Sequence, residues 1–323
     1  RSTRHVDAVV LPLELSASRK RPEAKLSIYL PIAELPVNIL LIFGLGIAVG
    51  FISGMFGVGG GFLMTPMLIL VGIPPSVAVA SVPSHMAASS LTGTICYWRN
   101  KLVDSGLGLV LLSGGMLGTA AGVWVFSLLR RAGQLDLVIN LSYIVLLSVI
   151  GTLMIVESIR ALWRSMHGQQ PVLRRPGTHS WFHGLPLKFR FRQSRIYVSA
   201  IPVTAIGFGV GFLGALMGIG GGFILIPALI YLMRVPTAVS VGTSLFLTLF
   251  TMLAATVLHA VENRSVDVVL AFTLMIGGVI GAQSGARAGQ AAKAEQLRFL
   301  LGLLVVAVAA RVGLDLLTQP SEL

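Results

Sequence analysis

Charged residues are scarce in this chain. Asp, Glu, Lys and Arg make up 11% of its 323 residues, whereas 55% are apolar. A soluble domain carries about 25% charged residues on its water-facing surface. The composition therefore argues against a soluble α/β protein and predicts a polytopic membrane protein.

Cysteine and membrane-embedded carboxylates are also lacking. The single cysteine, Cys96, excludes an internal disulfide and a multi-cysteine metal site. Carboxylates occur within the apolar part only at or near the ends of segments. They include Asp104, Asp136, Glu157, Glu262, Asp267 and Glu295. A cation site or a carboxylate proton relay at mid-membrane is therefore not expected.

Catalytic motifs are missing as well. The sequence contains no HExxH motif, and no Ser-His-Asp or paired-carboxylate pattern stands out. We therefore expect a protein that is not an enzyme and that has neither a catalytic residue nor a metal or cofactor.

The charges that are present are mostly positive, with a net charge of +12. Eight basic residues and no acid lie between Arg160 and Arg195. Such a charge could attract nucleic acid, but in a membrane protein the positive-inside rule explains it better. Residues 164–196 are thus predicted to form a basic cytoplasmic loop, with an anionic-lipid or regulatory site as the alternative.

Loops and charges divide the apolar sequence into ten segments. They are 36–56, 62–73, 76–98, 104–129, 135–160, 197–217, 223–233, 237–260, 266–289 and 295–317. Most reach the ~20 residues that cross a bilayer. Two of them, 62–73 and 223–233, are too short and are predicted to be half-helices or re-entrant elements covered by protein.

One pattern occurs twice. Residues 50–66 (GFISGMFGVGGGFLMTP) and 211–227 (GFLGALMGIGGGFILIP) share eight of 17 positions at an offset of 161. Further matches at an offset of 163 join 101–104 to 264–267, and they pair Gly114, Gly118 and Gly122 with three later glycines. The chain is therefore predicted to consist of two duplicated five-segment halves, and small residues four apart predict closely packed helices.

These observations predict an all-α polytopic membrane protein with 8–10 transmembrane helices, two of its helices short and broken or re-entrant. Five crossings per half would make the halves an inverted repeat. Ten crossings also place more basic residues inside than outside, although the basic N-terminal tail argues the other way. The predicted parts are a disordered tail (1–27), the first repeat (28–163), the basic loop (164–196), the second repeat (197–317) and a C-terminal tail (318–323).

The two glycine-rich stretches are the candidate substrate site. We call residues 57–61 the first glycine loop and residues 218–222 the second glycine loop. Each precedes a new helical piece whose first amides lack partners and whose positive dipole end favours an anion. The candidate residues are Gly57, Gly59, Gly60, Gly61, Gly218, Gly220, Gly221 and Gly222. The alternative is a pair of tight turns that bind nothing.

Polar residues follow each glycine loop and could complete the hydrogen bonds of an anion. The candidates are Ser81, Ser84, His85, Thr243 and Ser244. A Ser or Thr in a membrane helix usually bonds back to its own helix, which is the alternative role. His85 could take part in proton coupling or be a neutral side chain bonded within the bundle.

The doubled Gly-x-Gly-Gly-Gly-Phe-(x)3-Pro motif resembles that of the TauE/SafE sulfite exporter family, also called TSUP. The likeness covers roughly residues 28–317. It implies a helical inner-membrane transporter of small sulfur-containing anions. The family often has a Thr/Ser/Asn-type polar pair after its second segment. The second half keeps this pair at Thr243-Ser244, whereas the first half reads Ser84-His85 near the corresponding place.

The expected function is a secondary transporter that exports sulfite or a small organosulfonate, such as sulfoacetate, across the bacterial inner membrane. An importer or a channel for another small ion or sulfur compound is the alternative. The expected partners are a small sulfur-containing anion and the lipid bilayer, with a homodimer left open. Nucleic acid is not expected as a partner.

Overall fold

The computed structural model describes residues 27–291, apart from 58, 147, 150–151, 153–187, 192, 195 and 234. This part consists of helices and two short β-hairpins. The elements are β1 (Ser27–Leu30), β2 (Leu35–Asn38), α1 (Ile39–Phe56), α2 (Gly61–Leu70), α3 (Pro75–Arg99), α4 (Ser105–Arg131), α5 (Leu135–Leu146), β3 (Lys188–Phe191), β4 (Ile196–Ser199), α6 (Ala200–Met217), α7 (Gly222–Pro227), α8 (Thr237–Leu258) and α9 (Val268–Ala291).

Five of these helices are long and apolar enough to cross a membrane: α1, α4, α6, α8 and α9. Large apolar side chains such as Leu117, Trp124 and Phe272 are more than 60% exposed on them. Such a surface suits lipid rather than water. The predicted all-α multi-pass membrane architecture is confirmed at this level.

The two short segments form short helices where they were predicted. The first is α2, with ten residues, and the second is α7, with six. Pro227 ends the regular part of α7, and a π-helical turn continues it over Ala228–Leu232. The predicted segment 295–317 and most of the predicted basic loop lie outside the described residues.

Glycine controls the packing of two helix pairs. The helix α1 packs on α9, and α4 packs on α6. A Cβ built on Gly50 would lie 2.5 Å from the carbonyl oxygen of Gly278, and one on Gly118 would lie 2.0 Å from that of Phe208. The backbones are therefore in contact, which confirms the close packing predicted from the glycine spacing.

The helices α3 and α8 lie at the centre. They pack on each other, while α3 also contacts α9 and α8 also contacts α4. Both begin after proline, at Pro74 and Pro236, whose restricted φ suits the residue before a helix. Most side chains of α3 and α8 are buried, including polar ones, so these two helices carry polar groups into the middle of the bundle.

Two antiparallel hairpins precede α1 and α6 and were missed by the all-α prediction. In the first, β1 pairs with β2, and in the second β3 pairs with β4. They occupy residues assigned to the border of the N-terminal tail and to the basic loop. Four-residue strands have too little alternation to be recognised from sequence.

Candidate functional site

The two glycine loops face each other inside the bundle. A Cβ built on Gly61 would lie 2.4 Å from the carbonyl oxygen of Gly218, so the two backbones touch. Directly after the loops, the rings of Phe62 and Phe223 stack with centroids 4.5 Å apart and planes 6° apart. The starts of α2 and α7, one from each half of the sequence, are thereby brought to one place.

The backbone of both loops requires glycine. Positive φ angles occur at six of the eight candidate glycines, namely Gly57, Gly59, Gly60, Gly218, Gly220 and Gly221, and they range from 62° to 85°. Residues that carry a Cβ rarely adopt this left-handed backbone conformation. The turn out of α1 and into α2, and its counterpart between α6 and α7, therefore depend on these residues.

Each loop presents the start of a helix. In the first loop the carbonyl of Gly60 accepts the amides of Leu63 and Met64, both at 3.1 Å. The amides of Gly61 and Phe62 precede these and have no acceptor in their own helix. This end of α2 carries the positive pole of the helix dipole, which favours an anion.

The second loop is similar but tighter. Its Gly221 carbonyl accepts the amides of Ile224 and Leu225, at 3.0 and 2.9 Å. The amide of Gly222 turns back to the carbonyl of Gly220 at 2.5 Å. The second loop therefore has one amide engaged within itself.

Hydroxyl groups bind the carbonyls of both loops. The predicted site residue Ser244 donates from Oγ to the carbonyl of Gly57 at 2.7 Å. Thr65 Oγ1 donates to the carbonyl of Gly218 at 3.3 Å, and Thr248 Oγ1 donates to that of Gly220 at 2.9 Å. The first two bonds cross between the halves, so each half holds the loop of the other.

A methionine side chain fills the space that the glycines leave. Met86 of α3 has no exposed surface. Its Cε lies 1.5 Å from the position of a Cβ on Gly220 and 2.8 Å from one on Gly59, and its Sδ lies 2.3 Å from one on Gly61. The thioether thus contacts both loops. Neither Met86 nor Thr65 was predicted, because one apolar or one hydroxyl residue in an apolar helix gives no signal by itself.

The other predicted polar residues make contacts away from the loops. Ser81 Oγ accepts the amide of Asp267 at 2.9 Å, and Thr243 Oγ1 accepts the amide of Asp104 at 3.1 Å. Ser84 Oγ donates to the carbonyl of Ser81 within α3 at 2.7 Å. These hydroxyls join α3 to the start of α9 and α8 to the start of α4. Their part in substrate binding remains a prediction.

His85 joins α3 to α9. Its Nδ1 lies 2.7 Å from the carbonyl oxygen of Leu274, and because a carbonyl only accepts, Nδ1 carries the proton. The imidazole ring packs directly on Gly278. A Cβ built on Gly278 would lie 2.4 Å from both Nδ1 and Cε1 of His85. Among the described residues, Nε2 is buried and has no hydrogen-bond partner.

Two side chains outside the predicted set hold the end of α6. Tyr143 donates its hydroxyl to the carbonyl of Met217 at 2.6 Å. His259 Nε2 lies 3.0 Å from the carbonyl oxygen of Ala215, and its Nδ1 lies 3.2 Å from the side-chain nitrogen Nδ2 of Asn263. The backbone leading into the second loop is thus fixed on two sides.

The described groups around the two glycine loops are neutral. Among the described residues, no three His, Cys, Asp or Glu side chains come together in a group that could hold a metal ion. The contacting groups are backbone amides, hydroxyls and a thioether. The amides and hydroxyls can donate hydrogen bonds to a small anion without a full counter-charge, whereas the thioether has no proton to donate.

Comparison with known proteins points to one group of membrane proteins. The family model described as sulfite exporter TauE/SafE matches residues 42–312. A relative from Bacillus subtilis, probable membrane transporter protein YunE, is 24% identical over 284 residues, which cover 85% of this chain and 97% of the relative.

Two further relatives agree with this match. A probable membrane transporter protein from Xylella fastidiosa is 27% identical over 286 residues, which cover 85% of this chain and 95% of the relative. Sulfite exporter TauE/SafE family protein 3 from Arabidopsis thaliana is 30% identical over 95 residues, which cover 29% of this chain and 20% of the relative. No solved structure matches the chain.

Proposed function

Because the chain belongs to the TauE/SafE sulfite exporter family, we propose that it exports sulfite or a small organosulfonate, such as sulfoacetate, across the bacterial inner membrane. Its role as a membrane transporter rather than an enzyme follows from the family and from its relatives. The substrate, the direction and the membrane are the proposed part.

The observation that carries the proposal is the meeting of two helix starts within one buried place. The start of α2, with the amides of Gly61 and Phe62 and the positive end of the helix dipole, lies against the second glycine loop at the carbonyl of Gly218. Sulfite and sulfonates offer oxygens that accept hydrogen bonds from such amides. Hydroxyls of Thr65, Ser244 and Thr248, already at the loops, can exchange a carbonyl for a substrate oxygen.

Alternating access is the proposed mechanism. The glycine loops lie between two pairs of tightly packed helices, α1 with α9 and α4 with α6. Each pair can move as a unit because its backbones are in direct contact. Rocking of one of these pairs against the other would expose the loops first to the cytoplasm and then to the outside.

Transport in proteoliposomes tests the proposal. Purified protein is reconstituted, and the movement of labelled sulfite, sulfoacetate and taurine is followed against protein-free liposomes. We expect saturable transport of at least one of these sulfur compounds. A protein that remains folded after reconstitution but moves none of the three would contradict the substrate class.

Counterflow separates a carrier from a channel. Unlabelled anion on the far side should speed the movement of labelled anion through a carrier that alternates between two states. A channel would show no such stimulation. Light scattering of the purified protein decides between a monomer and a homodimer, which the proposal leaves open.

A further inference from the structure

We infer that Met86 plugs the anion site: in this structure its side chain occupies the position that the substrate would take. Its terminal atoms then set the size of anion that the transporter accepts. The inference rests on the proposed function, since it assigns a selectivity role within the same site.

The first step is the position of the thioether. Met86 is wholly buried, and its Sδ and Cε atoms lie against Gly59 and Gly61 of one loop and Gly220 of the other. An alanine at any of these three glycines would place its Cβ within 2.8 Å of the methionine. The missing Cβ atoms therefore create one space shared by both loops, and Met86 fills it.

The second step is that an anion at the loops needs the same space. Sδ lies 2.3 Å from the position of a Cβ on Gly61, whose amide, at the start of α2, has no acceptor in its own helix. Buried protein interiors are packed with few voids larger than a water molecule. A sulfite or sulfonate group bound to this amide therefore has to displace the end of the Met86 side chain.

The third step is that Met86 is the group that moves easily. A methionine has three freely rotating side-chain bonds and only a weakly accepting sulfur, so its displacement breaks no strong hydrogen bond. Its neighbour Thr248 also contacts both loops, but its hydroxyl is bonded to the carbonyl of Gly220 at 2.9 Å. A plug of this kind competes with the substrate and leaves room only for anions near its own size.

Two substitutions of Met86 test this. Met86→Ala removes the plug. Met86→Leu keeps the number of side-chain heavy atoms but has no atom at the ε position, which is the one nearest to Gly220 and Gly59. The matched control is Leu245→Ala, since Leu245 is equally buried and fills the space of a glycine outside the loops, Gly93 of α3.

The measurement is the affinity of each purified variant for sulfite and for sulfoacetate by isothermal titration, together with its melting temperature. For Met86→Ala we expect the ratio of sulfoacetate to sulfite affinity to rise at least about fivefold, because the larger anion gains most when the competing group is gone. Met86→Leu should change the ratio in the same direction by a smaller factor. Leu245→Ala should leave it unchanged.

The outcomes separate the two ideas. If the wild type binds these anions and neither Met86 variant changes the ratio more than Leu245→Ala does, Met86 is an ordinary core residue and the inference is wrong, while the proposed function stands. If the wild type binds no sulfur anion, the proposed function fails and the plug fails with it. Should Met86→Ala not fold, Met86→Leu decides alone.

Discussion

At the scale of single residues, the glycines of the two loops do more than let the chain turn. They leave space that side chains from other helices occupy. The sequence indicates backbone exposed for a ligand, whereas the structure has that backbone covered by Met86 and by hydroxyls of Thr65, Ser244 and Thr248. The covering groups are bonded weakly or only to carbonyls. Under the proposed function Met86 gives way to the anion, so the same glycines would serve both this structure and the anion-bound state.

Ser244 provides a prediction at this scale. Ser244→Ala removes the hydroxyl that lies 2.7 Å from the carbonyl oxygen of Gly57 and 2.8 Å from that of Val241 in its own helix. The buried carbonyl of Gly57 then lacks this donor. We expect a loss of about 1–2 kcal/mol in the free energy of unfolding. The measurement is the melting of detergent-purified protein.

Ser284→Ala is the control, because Ser284 is exposed and bonds only to carbonyls of its own helix. We expect a melting temperature close to that of the wild type. Equal losses in the two variants would show that the contact between Ser244 and the first loop does not stabilise the protein.

At the scale of elements, two aspartates connect the hairpins to the helices. Asp267 accepts the amides of Val269 and Leu270 at the start of α9, and its Oδ2 accepts the amide of Ile32 in the first hairpin at 2.9 Å. Asp104 caps α4 at Leu107 and binds Ser194 of the second hairpin at 2.8 Å. Each half thus holds the hairpin of the other.

The hairpins give a reciprocal prediction. Asp267→Asn replaces Oδ2 with an NH2 group that cannot accept a hydrogen bond from the amide of Ile32. Asp104→Asn makes the same change at the second hairpin. We expect Asp267→Asn to speed amide hydrogen exchange over Ser27–Asn38, and Asp104→Asn to speed it over 188–199. Each variant serves as the control for the other. Faster exchange in both hairpins for either variant would mean general destabilisation instead.

At the scale of the whole molecule, an inverted repeat would determine which side of the membrane each hairpin faces. The helix α1 packs on α9 of the other half, and α6 packs on α4. The two glycine loops come together from these two pairs. If the halves are inverted, the two hairpins lie on opposite sides of the membrane.

Labelling from one side tests this arrangement. Glu34 and Gln193 are exposed residues of the two hairpin turns, and each is replaced by cysteine in a Cys96→Ala background. With ten crossings and a cytoplasmic central loop, a membrane-impermeant maleimide should label Glu34→Cys in intact cells. It should label Gln193→Cys only after permeabilisation. Labelling of both positions from the same side would contradict the inverted repeat.

The sequence by itself determined the class of protein, most helix positions and the place of the glycine loops. These features depend on composition and on local patterns: scarce charge, long apolar segments, and glycine and proline at fixed spacings. The duplicated motif located both loops because the glycine pattern recurs in both copies. The hairpins were missed because four-residue strands lack a readable period.

Only the tertiary structure decided which side chains reach the loops. Ser81 and Thr243 bind the amides that begin α9 and α4, while Ser244, Thr65, Thr248 and Met86 contact the loops. All six are small polar or apolar residues in buried helices, and their spacing along the chain does not separate the two groups. What separates the two groups is the rotation of each helix about its own axis, because it sets which side chains point to the glycines. That rotation results from packing between distant parts of the chain.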